Sequence, residues 1–548
     1  MTLLTATTNT LLKRKYLAAG IACLLSGGIS LSAQAQTAPD TGQLLQQMQP
    51  DLVEPHPERP GVEVQSLALP ETKAGGEQVR ITGLAFSGNQ AFSDAQLAEH
   101  ARHYLDQPLD MAGLQGLVNH LSQYYRQQGY PFARAFLPEQ TLKPGGTLEI
   151  TVVEGRYGTI STDGPEEVAQ GAKRFLQPLS PGDAIYTPKL ERQLLILEDQ
   201  PGITVTPVIS PGSEPGSGDL SVDVATTPRF TGQIGVDNHG NRFSGENRLR
   251  ATATANRLLT LGDQLEITGL YTNEDLWLGH INYQIPLGVT GLRAHLGYVH
   301  TDYNLRAPFD GSTGDAHITT AGISYPLIRS QQRNLSIKTT YQHKRLTDDR
   351  LNGLLREKRR SDAVTFALPF DQRDSAGGGG ITFGQLSATP GSLRADQDFS
   401  TQGGFFRTNL QLARLQNLPR SFSLFARLNA QWADSMLGSS EAITLGGAHG
   451  VRAYPSGEGI GSRGGTLQLE LRYHSQQIQP YVFYDTGRII GFEDNPARHI
   501  AGAGIGLRLD YQNMHFDVSS AWRARGGDAQ SDDHQRNPRI WLSAHYTL

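Results

Sequence analysis

The chain of 548 residues contains a single cysteine, Cys23, which lies close to the N-terminus. A disulfide or a thiolate metal site needs several cysteines, so neither can be built in the rest of the chain. This composition fits an exported protein that is stabilised by its fold alone. Basic residues are also few, with 48 Lys and Arg against 53 Asp and Glu, whereas a nucleic-acid-binding protein carries a basic excess. We therefore expect no nucleic acid among the partners.

Long apolar runs are absent, with one exception at the N-terminus. Lys13-Arg14-Lys15 precedes an uncharged stretch from Tyr16 to Leu31, and Ala33-Gln34-Ala35 is a small-residue cleavage site. This pattern predicts a secretory signal peptide over residues 1–35. Lipid attachment at Cys23 is the alternative, although the apolar run before it is only about seven residues. No later stretch is long enough for a transmembrane helix, so any later membrane crossing must use strands.

Catalytic motifs are also lacking. Neither H-E-x-x-H nor G-x-S-x-G occurs, and the G-x-G-x-x-G match at residues 459–464 is followed by a strand pattern instead of a helix. Four histidines are scattered among strand patterns, which favours lumen or interface positions over metal ligation: His280, His295, His300 and His317. We expect no enzymatic activity, no catalytic residue, no cofactor and no metal.

Residues 36–77 contain a short helical pattern and a proline-rich segment. The helix is predicted from Thr41 to Met48, with Thr41 as its N-cap and Pro50 as its stop. The prolines that follow indicate an extended linker. Two interpretations remain open, a disordered tether and a helix that enters and leaves a pore.

Residues 78–154 follow the order β-α-α-β-β. Val79-Arg80-Ile81-Thr82 alternates as a strand does, and apolar residues then recur at helical spacing from Leu114 to Tyr125. Residues 155–227 repeat this order. A repeat of about 75 residues indicates tandem modules instead of one enzyme domain.

From residue 228 to residue 548 the chain consists of alternating strands separated by polar turns. Alternation alone also fits a solvated sandwich, so the strand count decides. An even number of strands of about ten residues is typical of an outer-membrane barrel. Sixteen candidate strands begin near Arg229, Glu246, Gln264, Leu276, Thr290, Asp315, Asn334, Arg359, Gly379, Ser400, Ser421, Thr466, Pro480, His499, His515 and Arg539.

Two motifs stand near the C-terminal end. A glycine-rich loop from about Ala433 to Gly465 carries Val451-Arg452-Ala453-Tyr454, and a later strand carries Phe483-Tyr484-Asp485-Thr486-Gly487. Side chains of a strand alternate between its two faces, so Phe483 and Asp485 lie on the same face. Asp485 should face inward because a carboxylate facing lipid is costly. An arginine fork suits a carboxylate. We predict that Arg452 folds back into the barrel and pairs with Asp485; the alternative is a solvated arginine and an unrelated lumen aspartate.

These features together resemble the outer-membrane transporters of two-partner secretion systems, the haemolysin and filamentous-adhesin secretion-activation family. Phe86-x-Gly88-Asn89 and the turn Asp199-x-Pro201-Gly202 carry the resemblance of the two modules to POTRA domains. The loop and wall motifs are similar to Val-Arg-Gly-Tyr and Phe-x-Asp-x-Gly, with Ala453 in place of the first glycine. The resemblance implies a transmembrane β-barrel of about 16 antiparallel strands preceded by two α+β POTRA domains.

The resemblance also implies a function. Such a protein lies in the outer membrane with its POTRA domains in the periplasm, where they recognise an unfolded exoprotein of adhesin or haemolysin type through its N-terminal secretion domain. The exoprotein then passes through the barrel, and the helix at Thr41 to Met48 fills the pore at rest. The resemblance further implies two partners, outer-membrane lipid and the barrel-insertion machinery, since Arg539 to Leu548 resembles an insertion signal. The alternatives are a factor that inserts other barrels and a passive porin.

Overall fold

The computed structural model describes residues 38–47, 74–398, 400–491 and 497–548. Two predicted segments lie outside the described residues. They are the signal peptide over residues 1–35 and the part of the linker over residues 48–73, which includes Met48 and Pro50. Within the described part of the chain, no helix is both long and apolar enough to cross a membrane.

The first described helix is α1, Thr41–Gln47. Its N-cap is Asp40, whose Oδ1 accepts the Gln43 N–H at 2.9 Å. The prediction that Thr41 caps this helix is therefore wrong by one residue. The cause is tertiary, because the Thr41 hydroxyl donates instead to Asp348 Oδ1 on the barrel wall at 2.6 Å.

The first module has the predicted order of elements, with one short strand added. Its sheet runs in the order β2-β1-β4-β3, and β1 lies parallel to β4. Gly88 has a φ of +81° and faces the Val152 carbonyl, so a side chain at this turn would collide with the backbone. The elements are β1 Val79–Ser87, α2 Asp94–Ala101, β2 Pro108–Leu109, α3 Met111–Gln127, β3 Arg134–Phe136 and β4 Gly146–Val153.

The second module repeats the arrangement around its own core. Its three strands lie in the order β5-β7-β6, and two helices cover one face. The helical spacing of Leu190, Leu194 and Leu197 predicts its second helix, and all three side chains are buried there. The elements are β5 Arg156–Asp163, α4 Glu166–Leu176, α5 Thr187–Glu198, β6 Ile203–Pro211 and β7 Ser217–Thr226.

Beyond the modules, sixteen antiparallel strands form a closed barrel, and the last strand pairs with the first. The predicted strand starts lie within a few residues of the observed ones. The barrel strands are β8 Phe230–Asp237, β9 Arg248–Asn256, β10 Gln264–Thr272, β11 Trp277–Pro286, β12 Arg293–Asn304, β13 Thr313–Arg329, β14 Arg333–Arg350, β15 Leu355–Asp374, β16 Gly380–Ala395, β17 Gly403–Leu418, β18 Phe422–Ala433, β21 Gly464–Tyr473, β22 Ile478–Ile489, β23 Arg498–Tyr511, β24 Met514–Arg525 and β25 Arg539–Thr547. The short strands β19, Ile443–Thr444, and β20, Ile460–Gly461, pair with each other in the loop between β18 and β21.

The strand faces follow the alternation seen in the sequence. On β18, Phe422 and Trp432 are exposed on the outer face, whereas Ser423 and Gln431 are buried toward the lumen. Some strands are much longer than a bilayer requires, since β15 has 20 residues and about ten suffice for a crossing. These strands therefore extend well beyond the membrane.

The second module is fastened to the barrel turns that face it. Arg329 at the end of β13 donates to both carboxylate oxygens of Asp199, from Nε at 2.7 Å and from Nη2 at 2.6 Å. The Gln331 N–H donates to Glu191 Oε1 at 2.6 Å. Strand β14 therefore begins on the module side of the barrel, and Arg350 lies at the opposite end.

Candidate functional site

The loop between β18 and β21 folds back into the barrel lumen. Its tip is fully enclosed, with Val451, Ala453 and Tyr454 all buried. These residues pack on Phe483 and other inward side chains of the wall. The predicted inward fold of this loop is therefore present.

Arg452 at the loop tip binds Asp485 on β22 through three hydrogen bonds. Its Nε donates to Oδ2 at 2.8 Å, its Nη2 to Oδ1 at 2.8 Å, and its backbone N–H to Oδ2 at 3.2 Å. Asp485 has no solvent exposure and Arg452 has 4 %. The predicted pair is present, and it has the bidentate form that gives an arginine–carboxylate contact its directional specificity.

Glu470 on β21 gives Arg452 a second carboxylate. Arg452 Nη1 donates to Glu470 Oε1 at 2.6 Å. Two further arginines share this acid, Arg472 through Nε at 2.8 Å and Arg508 through Nη2 at 3.2 Å. Arg508 also donates to Asp517 at 2.9 Å, so three cations face three carboxylates, and the cluster is balanced in charge.

Aromatic rings support the same cluster. The Arg452 guanidinium carbon lies 3.5 Å from the centroid of the Phe483 ring, close enough for a cation–π contact. Phe483 and Tyr481 fit because Gly504 and Gly506 lie beside them on β23, where an added Cβ would come within 2.5 Å of either ring. The ring of Phe483, the aromatic residue of the wall motif, therefore packs against the guanidinium group of Arg452.

Glycines also make room for the loop tip. An added Cβ at Gly502 would lie 2.3 Å from the Ala453 Cβ, and one at Gly487 would crowd Val451 at 3.1 Å. Ala453 is absent from the residues with positive φ, so this turn does not need the glycine that the family motif carries. The substitution of alanine is accommodated because Gly502 faces it.

Three more contacts hold the tip in place. The Tyr454 hydroxyl donates to the Arg525 carbonyl at 2.7 Å, and the Trp541 indole N–H donates to the Arg452 carbonyl at 2.8 Å. Glu458 accepts from Arg498 Nη2 at 2.6 Å. The tip is thus bound to three wall strands and to the segment that follows β24.

Helix α1 occupies a second site in the lumen. Its Thr41 N–H and hydroxyl both donate to Asp348 of β14, at 2.8 Å and 2.6 Å, and Tyr303 donates to the same carboxylate. Arg359 of β15 also binds Asp348 and reaches Asp40 at 2.8 Å. Leu44 is buried in a small apolar cluster formed mainly by inward residues of β10 and β12 and the loops beside them.

The helix also touches the inward loop. The Ser439 hydroxyl donates to Asp40 Oδ2 at 2.7 Å, and Gln46 Nε2 donates to the Ser440 carbonyl at 2.7 Å. Gly42 lies directly against this turn, where an added Cβ would be 2.2 Å from the Ser439 hydroxyl oxygen. The helix and the loop therefore fill the lumen as one connected assembly.

Below the loop tip the lumen keeps an open polar cavity of about 470 Å³. Its wall carries charges of both signs, including Arg427, Arg472, Arg508 and Asp517.

The sequence did not identify several members of this site. The alternation of the sequence places Glu470 and Arg472 on a polar strand face, but it does not connect Arg508 or Asp517 with Arg452. Their approach depends on register, because Gln468 stands opposite Asp485 and this places Glu470 one inward position farther along β21. The alternation of inward and outward residues along β21 can be read from the sequence, but the register of β21 against its neighbouring strands cannot.

A barrel filled by a loop and a helix and preceded by two small α+β modules defines a class of outer-membrane transporter. Comparison with known families agrees. Residues 79–155 match the POTRA domain, ShlB-type, and residues 216–509 match the haemolysin secretion/activation protein ShlB/FhaC/HecB. The chain belongs to the ShlB/FhaC/HecB haemolysin secretion/activation family.

Individual relatives resemble nearly the whole chain. The heme/hemopexin transporter protein HuxB of Haemophilus influenzae strain 86-028NP is 27 % identical over 569 residues, covering 97 % of this chain and 99 % of its own. The outer membrane transporter CdiB of Escherichia coli is 25 % identical over 488 residues, covering 84 % and 80 %. Both are similar proteins at modest identity.

Solved structures share the fold. CdiB from Escherichia coli superposes with a TM-score of 0.74 at 21 % identity, covering 87 % of this chain and 92 % of its own. CdiB from Acinetobacter baumannii superposes with a TM-score of 0.66 at 16 % identity, covering 100 % of both chains. The protein is an outer-membrane transporter of the two-partner secretion type with its POTRA domains in the periplasm, and the predicted fold, class and location are confirmed.

Proposed function

We propose that this transporter exports a dedicated exoprotein of adhesin or haemolysin type. In this proposal its two POTRA domains, residues 78–154 and 155–227, bind the N-terminal secretion domain of the unfolded exoprotein in the periplasm. The exoprotein then passes through the barrel at residues 228–548. The observation that supports this is a closed barrel whose lumen is filled by a loop fixed to the wall and by a helix held largely through polar contacts, which water or a passing chain can replace.

Helix α1 is the resting plug in this proposal. Residues 36–77 comprise the plug and a linker that lets the helix leave the lumen while it stays tethered. Asp40 forms an ion pair with Arg359, whereas Thr41 and Gln46 form hydrogen bonds, and Leu44 is the one fully buried large apolar side chain of the helix. Each of these contacts is worth about 1–3 kcal/mol net, since water or a passing polypeptide can replace it. Arg359 keeps Asp348 as its partner when Asp40 leaves. The plug is therefore bound firmly enough to close the pore and weakly enough to leave.

The loop tip keeps a second part of the lumen in its working shape. Arg452 and Asp485 hold the loop to the wall, while Val451 and Tyr454 fix the tip and Phe483 and Gly487 shape its seat. Buried ion pairs of this kind specify one arrangement more than they add stability. We infer that the loop stays against the wall while the exoprotein passes.

Two further partners belong to the proposal. Outer-membrane lipid contacts the exposed apolar residues of the outer face, and the barrel-insertion machinery recognises the last strand, Arg539 to Leu548. Since HuxB is named for heme/hemopexin transport and matches along almost its whole length, an exoprotein of haem acquisition is included among the candidate cargoes.

The test compares culture medium and outer membrane from cells with and without this gene. Loss of one large protein from the medium, with an unchanged set of barrel proteins in the membrane, is the expected result. Complementation with the natural gene should restore that protein. Loss of many barrel proteins from the membrane would instead support the alternative of an assembly factor, and an unchanged medium would leave a passive porin.

A further inference from the structure

The outer face of the barrel carries a continuous row of cationic and titratable side chains. One residue comes from each of five consecutive strands, β12 to β16, and each stands directly opposite the next in the strand register. The row consists of His300, His317, Arg345, Arg360 and Arg394. We call it the basic row. It concerns the outside of the barrel and does not depend on what passes through the inside.

The alternation of burial places the basic row outside. The neighbours Lys344 and Arg359 are buried toward the lumen, as is Leu393, whereas Arg345, Arg360 and Arg394 are exposed. The same outer face carries exposed Tyr341 on β14, Phe366 and Leu368 on β15 and Leu386 on β16, which form a lipid-facing band.

The basic row lies just beyond that band on the extracellular side. Strand β14 starts at the periplasmic module, so Arg345 lies toward its far end. On β15 the last outward apolar residue is Val364, and Arg360 lies four positions farther, about 13 Å along the strand. With the usual strand tilt this is about 10 Å of height, which is the level of the lipid headgroups.

The three arginines of the row form no ion pair with a carboxylate among the described residues. Like charges directly opposite each other on neighbouring strands repel. The nearby acids have other partners: Asp302 lies 3.0 Å from His300, Asp315 lies 3.4 Å from His317, Asp349 lies 3.0 Å from Arg356, Asp362 binds Tyr341 and His343, and Asp396 accepts the Lys358 N–H at 2.8 Å.

Asp362 also interacts electrostatically with Arg394, and Arg345 donates to a nitrogen of His343 at 3.0 Å. Within the described residues, no carboxylate comes within 4 Å of the side-chain nitrogens of Arg345, Arg360 or Arg394. Three adjacent guanidinium groups are therefore left to an external anion.

We propose that the basic row binds the phosphate groups of a phosphorylated glycolipid in the outer leaflet. Arginine forks match phosphate oxygens in charge and geometry. Basic clusters at the edge of an apolar band are a common way to hold anionic lipid headgroups. The position favours lipid over a protein ligand, because a lipid whose acyl chains lie on Phe366 and Leu386 brings its headgroup to the arginines.

The test measures lipid binding by the full mature chain in detergent, using native mass spectrometry with diphosphorylated lipid A as the probe. Dephosphorylated lipid A is the matched ligand. The variant R345Q/R360Q/R394Q removes three charges from the row. The control R333Q/R420Q/R488Q removes three exposed charges elsewhere.

Natural protein and control should bind the diphosphorylated lipid alike and prefer it over the dephosphorylated one. The row variant should bind it more weakly by on the order of 100-fold. Heat-dependent gel mobility shows whether each barrel is folded. If the triple variant does not fold, two measurements still test whether the row binds lipid phosphate. They are the lipid affinity of R360Q and the comparison of the two lipids on the natural protein.

Two outcomes would overturn the proposal. One is equal binding of both lipids by the natural protein. The other is a folded row variant that binds the diphosphorylated lipid as the natural protein does; reduced export in that case would assign the row to contact with an acidic polypeptide outside the cell.

Discussion

Replacing Arg452 with alanine should free the loop tip from the barrel wall and impair export while the barrel stays inserted. The side chain makes two hydrogen bonds to Asp485 and one to Glu470, and all three residues are buried. Arg452→Ala leaves Asp485 as a buried charge with only the backbone N–H of residue 452 to bind it. Glu470 is less affected because Arg472 and Arg508 remain.

The size of the effect follows from the uncompensated charge. Removing one partner of a buried ion pair costs about 3–5 kcal/mol. Because this cost falls on the state with the loop inside, the ratio of inward to outward loop drops by roughly two to four orders of magnitude. The barrel strands keep their hydrogen bonds to each other, so insertion should be unaffected.

The absence of cysteine from the chain after Cys23 provides a direct assay for this change. Val451→Cys changes the side-chain volume little and places a thiol at a position with no solvent exposure. The thiol should resist a water-soluble maleimide in the otherwise natural protein and react in the Arg452→Ala background. Export of the cargo into the medium is measured on the same cells.

Two control variants separate charge from geometry. Arg488→Ala removes an exposed arginine three positions from Asp485 on the same strand and should leave export and labelling unchanged. Arg452→Lys keeps the charge but loses the fork, so export should fall between the natural level and that of the alanine variant. Normal export by Arg452→Ala, with Val451→Cys still protected, would refute the assigned role of the pair.

Three further predictions concern other contacts. Asp348→Asn should weaken the hold on α1, since hydrogen bonds to a charged group are worth about 1.5–3 kcal/mol, and planar-bilayer recordings should show more frequent channel opening; an unchanged opening frequency would contradict this. Arg329→Gln should loosen the second module by about 1 kcal/mol or less, because Asp199 is partly exposed, and should speed hydrogen exchange at that junction; exchange equal to that of the natural protein would count against it. Gly502→Ala should expel the loop tip and reduce export, whereas Gly269→Ala, where a Cβ meets nothing within 4 Å, should not; equal export by the two variants would show that the fit at the tip is unimportant.

Much of the fold was predictable because a membrane barrel imposes a simple rule on its strands. One face of each strand must be apolar and the other polar. The alternation along β18 and β21 can therefore be recognised in the amino-acid sequence, as can the turns between strands. The pairing of Arg452 with Asp485 was predictable for a related reason. A carboxylate on an inward strand position needs a cation, and the loop carries an arginine in the motif that the family resemblance singles out.

The rest of the site depends on quantities that no local pattern contains. The partners of Glu470 are set by the register of β21, β22 and β23, and a shift of one residue would turn this side chain to the lipid. The cap of α1 is a similar case. Asp40 and Thr41 both suit a cap, and the choice between them is made by Asp348, some three hundred residues away in sequence.

The two segments in the lumen differ in how strongly they are bound, and this difference predicts which one moves. Helix α1 contributes one fully buried large apolar side chain, Leu44, worth about 2 kcal/mol. Its ion pair between Asp40 and Arg359 can break without leaving an unpaired buried charge, because Asp40 moves into water and Arg359 keeps Asp348. The loop buries Leu445, Val451 and Tyr454 completely and adds an ion pair whose separation leaves buried charges. An arriving polypeptide that replaces a few hydrogen bonds can displace the helix, but it offers nothing to compensate Asp485. We therefore expect the helix to leave the lumen during export and the loop to remain as part of the wall.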